Sequence, residues 1–251
     1  GTSSVLPGGI STYSASVFFA CTWYNPSFVK QGVFAKLSQA AGALELQRLY
    51  STSGSQFYSI AQSSSNGNCY IGGALTNANA TLIIKVDSTG AKQWATTLAT
   101  GYSQSQAAID SSENVYVLVR GNLTSKTLSI SKYNSSGTIQ WQRNLTLPFD
   151  VSGSQSISVS SSGQIFITSG MVTAGLVYYP VVALLRPDGA GTGTYTIDGQ
   201  TYTYAASSYT VSTDAGTFST AALTVEVQTR SLSSITTTSA TDNLSFIETA
   251  I

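Results

Sequence analysis

Short runs of alternating apolar and polar residues, separated by clusters of Ser, Asn, Asp and Gly, fill the chain from about residue 16 to 189. Alternation at period two predicts strands with one buried face, and the polar clusters predict the turns between them. The clearest example is Ile84-Lys85-Val86, then Asp87-Ser88-Thr89-Gly90, then Ala91-Lys92-Gln93-Trp94. It reads as a strand ending in a cation, a polar turn closed by Gly, and a strand carrying Trp. The design returns at Ile130-Ser131-Lys132-Tyr133 through Gly137 to Ile139-Gln140-Trp141, with Lys132 lying 47 residues after Lys85. Gly90 and Gly137 suit the positive φ of a tight hairpin. A third copy runs from Val33-Phe34-Ala35-Lys36-Leu37 through Gly42 to Leu44–Leu49, and there Leu46 stands where Trp94 and Trp141 stand.

Each copy is followed by a second strand–turn–strand stretch: Tyr58 to Gly73, Ala107 to Val117, and Ser156 to Ile167. A unit therefore holds four strands, and four strands in about 40–50 residues is the period of a β-propeller blade. The fold expected is all-β, a propeller-like array of four-stranded repeats over residues 1–189. The units fall at about 32–75, 81–121 and 127–170. Partial blades flank them at Ser16–Ala20 and at Pro180–Arg186, which ends in Pro187-Asp188-Gly189. In this phasing the stretches 50–56 and 147–153 join the two hairpins of one blade, and 171–179 links two blades. Three full and two partial blades are few for a closed ring, so the chain reads as the C-terminal part of a longer product. From Ala190 the composition shifts. Residues 190–251 read as a β-rich, Ser/Thr/Ala-rich assembly segment, opening with a hairpin turned at Asp198-Gly199 and lying against the blades or a neighbouring subunit.

Composition narrows the function classes. The chain has 251 residues, 42% hydrophobic and only 9% charged, with 11 basic and 11 acidic side chains. A neutral chain lacks the basic footprint of a nucleic-acid binder, and no apolar run has the length of a membrane span. The absence of histidine removes the usual neutral-pH general base and the nucleophilic systems that depend on it. Cys21 and Cys69 are too few for a disulfide framework or a structural zinc site.

The units, with stretches such as KYNSSGTIQWQRNL and AIDSSENVYVLVRG, resemble seven-bladed-propeller-type (SBBP-like) repeats. The stretch LLRPDGAGTGTYTIDGQTYTYAASSYT, residues 184–210, looks like the C-terminal region of virion structural proteins from cyanobacterium-infecting marine tailed phages. The resemblance implies a virion exterior protein: a tail-fibre, tail-tip or head-surface component that recognises or decorates. The partners implied are other virion proteins or copies of itself, with a host surface glycan as a further candidate. It carries over no catalytic residue. Two other readings stand beside it, a bacterial extracellular adhesin or filament subunit, and a propeller enzyme acting on glycans or through a quinone.

Among residues that could carry chemistry, Asp87, Asp110, Asp188 and Asp198 sit in predicted turns, where Asp serves local hydrogen bonding. No dense Asp-x-Asp-x-Asp-Gly calcium loop occurs. No metal, cofactor or catalytic residue is expected. Lys36, Lys85, Lys132 and Arg186 share one repeat position and read as solvent-edge strand caps. Trp94 and Trp141, in register with Leu46, read as packing contacts between neighbouring sheets, because Leu fills a core but makes a poor stacking surface. Trp23 and Tyr24, in an aromatic loop outside the register, are the candidates for an exposed binding contact.

Overall fold

The computed structural model of the protein describes residues 4–25, 27–101, 104–120 and 125–220. Its strands form four antiparallel sheets, arranged as the blades of a four-bladed β-propeller. The first blade holds β1 (Ser4–Tyr13), β2 (Ser16–Tyr24), β3 (Lys30–Ser38) and β4 (Leu44–Tyr50), and the second β5 (Ser55–Gln62), β6 (Cys69–Leu75), β7 (Ala80–Val86) and β8 (Lys92–Leu98). The third holds β9 (Ser105–Ile109), β10 (Val115–Arg120), β11 (Thr127–Tyr133) and β12 (Ile139–Thr146). The fourth has three strands, β13 (Asp150–Val159), β14 (Ile165–Val172) and β15 (Tyr178–Leu185).

The remaining strands run back over the array. The hairpin of β16 (Gly193–Ile197) and β17 (Gln200–Ala206) adds to β12, β18 (Val211–Thr213) adds to β8, and β19 (Phe218–Thr220) adds to β4. Residues 193–220 thus extend the outer edges of the third, second and first blades in turn. The expected boundary at 189/190 does not separate two bodies, because this stretch completes the blades. The rest of the expected assembly segment, from 221 to 251, lies outside the described residues.

The expected hairpins are all present, but the sheets cut the repeat at another phase. An expected unit such as 32–75 places β3 and β4 with β5 and β6, whereas β4 ends the first blade and β5 opens the second. Stretches 51–54 and 147–149 are therefore blade-to-blade links, and 173–177 is the turn between β14 and β15. The shift follows from β1, which completes the first blade and which Pro7-Gly8-Gly9 disguises as a turn. A bulge between Leu6 and Gly9 absorbs the irregularity. Gly9 also lets β1 approach the second blade, since a Cβ there would stand 2.4 Å from the backbone nitrogen of Ile60.

Burial explains the order of blades. In the first joint Phe18, Phe34 and Tyr50 pack on Phe57, Ile71 and Ile84. The second joint packs Tyr70 and Ile83 on Val115, Val117 and Tyr133. In the third, Tyr116, Leu118 and Ile130 meet Ile157, Ile165 and Ile167. The strands β6 and β7 are buried along their whole length because a sheet lies on either side of them. Strand-to-strand contact between blades is extensive at these three joints, and the described strands of the fourth blade make no comparable contact with the first.

Candidate functional site

The repeat positions singled out in the sequence converge on the joints between blades. In the second blade Lys85 pairs across the strands with both Tyr70 and Trp94. The Lys85 ammonium lies 5.2 Å from the Tyr70 ring centre and donates to the Ser135 carbonyl at 3.1 Å. The Trp94 indole N–H donates to that same carbonyl at 3.0 Å. Ser135 belongs to the β11–β12 turn, so a lysine and a tryptophan of one blade grip a turn of the next.

The third blade repeats the grip. Lys132 lies 5.0 Å from the Tyr116 ring centre, and Lys132 and Trp141 both donate to the Pro187 carbonyl, each at 3.2 Å. The gripped turns need glycine twice over. Gly137 has φ of +84°, and a Cβ on it would meet Trp94 at 2.8 Å; Gly189 stands likewise over Trp141. In the first joint Leu46 reaches Gly90 through packing alone, where a Cβ would lie 2.3 Å from the leucine. Lys36 there forms an ion pair with Glu45 at 2.9 Å and lies 5.8 Å from the Phe18 ring centre.

Lys85 is only 8% exposed, which corrects the reading of this lysine as a solvent-edge cap. Burying an ammonium requires partners, and the main one lies outside the repeat positions. Glu113, in the β9–β10 turn, reaches back to the second blade and pairs with Lys85 at 3.2 Å. Its carboxylate also accepts from Tyr70 at 2.7 Å, Ser63 at 2.8 Å, Asn66 at 2.5 Å and Asn68 at 3.3 Å. Burial alone would raise this carboxyl, but the donors, Tyr70 first among them, outweigh it and hold it at about 2. The Tyr70 hydroxyl is correspondingly pushed up, by burial first and then by the Glu113 carboxylate. Glu113 has φ of +58°, in the left-handed region, where the matching turns of the second and fourth blades carry Gly67 and Gly163. A glutamate in place of that glycine was the one signal in the sequence for this network.

Arg186 does not share the lysine position. Phe166, the counterpart of Tyr70 and Tyr116, pairs with Leu184, so the residue in register is Leu184. The spacing agrees, since Leu184 precedes Gly189 by five residues, as Lys85 precedes Gly90 and Lys132 precedes Gly137. Trp23 and Tyr24 are not in a loop: both lie in β2, half-buried, with Trp23 opposite Val5 and Gln31. Tyr24 pairs with Lys30, whose ammonium lies 5.5 Å from its ring centre. Cys21 and Cys69 are free thiols in different blades, both raised by burial, to about 11 and about 12.

A depression of about 260 Å³ lies where the β5–β6, β9–β10 and β13–β14 turns converge. Equivalent segments of three blades line it: Gln62 to Ser65, Ile109 to Ser111, and Val159 to Ser161. The exposed Ser64, Ser111 and Ser161 offer donors and acceptors. Asp110 is spent locally, accepting from the Ser112 and Asn114 backbone N–H groups, the Asn114 amide and the Tyr116 hydroxyl. Asp87 does the same for its own turn, accepting from Thr89, Ala91 and Gln93. A second depression, about 540 Å³, lies at the outer rim beside Arg48 and Lys92. Lys92 donates there to the Asp214 and Gly216 carbonyls, which fastens the returning chain. Among the described residues no group of three carboxylates or thiols is placed to hold a metal ion.

Fold and site together define an all-β propeller array whose charged and aromatic repeat positions serve its joints. Comparison of the chain with protein-family models, with curated proteins and with solved structures finds no match.

Proposed function

We propose that the protein is a non-enzymatic component of a phage virion exterior, a tail-fibre, tail-tip or head-surface protein that acts as a recognition and assembly platform. The observation that carries the reading is what becomes of residues 184–210, the stretch that resembles phage virion proteins. Leu184 and Leu185 end the fourth blade, and the rest adds edge strands to the third blade and leads to β18 on the second. A segment that binds successive blades edge to edge suits a scaffold that must stay rigid outside a cell. Its partners are neighbouring virion proteins or further copies. The hydroxyl-lined depression is the place for a host surface glycan, since serine hydroxyls match the donors and acceptors of a sugar.

The test is genetic. Phage particles lacking this protein should adsorb to host cells more weakly or assemble with altered exteriors. Unchanged adsorption together with unchanged particles contradicts the reading. The purified chain should release no sugar from host polysaccharide; release would replace the platform with an enzyme.

A further inference from the structure

The joints between blades leave two lateral faces over, and they are the two halves of one kind of contact. In the third blade the column of Tyr116 and Ile130 is buried against the fourth blade. The same column in the fourth blade holds Phe166, Leu184 and Val182, which are 40%, 50% and 74% exposed. At the other end, Phe18 and Ala20 of β2 face the second blade. Strand alternation turns Phe19 and Trp23 to the opposite side, beside their cross-strand partners Ile10 and Val5, which are 72% and 60% exposed. On these two faces the strand pairs carry one charged side chain, Asp150, opposite Val172 at the far end of the fourth blade from Phe166 and Leu184.

We propose that these faces join head-to-tail between two copies of this chain, the fourth blade of one seated on the first blade of the other. These faces continue the series of joints between the blades. The fourth blade presents the face that the first three blades bury against a successor. The first presents the face that the others bury against a predecessor. Among the described residues the strands of the fourth and first blades make no contact comparable to the three joints. Leu184 fits this role: where Lys85 and Lys132 grip a following turn, the fourth blade offers an apolar residue that asks only to be covered. The contact is heterologous, so two copies that engage both faces close on each other. The inference stands independently of the virion reading.

Sedimentation of the 251-residue chain over a concentration series tests it, with assembly to at least twice the monomer mass expected. Val182→Lys and Ile10→Lys alter highly exposed side chains, so each variant should fold, and each should weaken association about 100-fold or more. An equimolar mixture of the two should recover a dimer, because one intact face of each kind remains. A wild-type protein that stays monomeric throughout overturns the proposal. So does association lost in only one of the variants, or a mixture that recovers nothing.

Discussion

The outer faces of the second and fourth blades are built from the same repeat positions and end up in opposite conditions. On the second blade Tyr70, Lys85 and Trp94 are covered by the following blade, which supplies both a carbonyl to grip and a glutamate to neutralise the lysine. On the fourth, Phe166 and Leu184 meet solvent. The difference teaches that the cation at this position is not a surface feature. At Lys85 and Lys132 a following turn accepts it, at Lys36 a glutamate of the same blade does, and leucine replaces it in the fourth blade, where no turn among the described residues covers it. The polar part of the repeat is thus a device for fixing the angle between neighbouring sheets, since a carbonyl gripped by two donors leaves little freedom to slide.

Five changes would break or sharpen that contrast. Trp94→Ala removes both the packing against Gly137 and one of the two donors to Ser135, and should cost about 3–4 kcal/mol in urea unfolding. Trp94→Leu, imitating Leu46 in the first joint, should recover about half of that loss. Glu113→Ala leaves a buried ammonium without its counter-charge, so a loss of about 3 kcal/mol is expected from the same measurement. Acid should act on the second joint through the same glutamate. Its folded-state value lies below its ordinary one, so its contribution is complete above about pH 4.5 and is lost as pH falls through about 2. That slope, worth about 2 kcal/mol, should be missing from the pH–stability curve of Glu113→Gln. Smallest is Leu184→Lys, which restores the repeat cation where nothing accepts it. Monomer stability should move by no more than about 0.5 kcal/mol.

Much of the fold was legible in the sequence. The alternation and the Gly-closed turns located the hairpins because strand period and turn chemistry are local properties. Blade phase was not legible, since a repeat of two hairpins can be cut at either link and only the hydrogen bonding of β1 decides it. The joint was half legible. Trp94, Trp141 and Leu46 could be aligned, but the burial of Lys85 depends on a turn 50 residues further along. Glu113 required noticing that one left-handed turn position lacked its glycine. The strands β18 and β19 were illegible for a different reason: three residues each, among Ser, Thr and Ala, they take their structure from the edges they join.

The account rests on coupling between blades at the second joint, and a double-mutant cycle of Lys85→Met and Glu113→Gln measures it directly. Unfolding free energies of the parent, both single variants and the double variant should give a coupling of about 2 kcal/mol, because each partner leaves the other buried and uncompensated. A coupling indistinguishable from zero would mean that the two side chains do not meet across the joint, and would contradict the account.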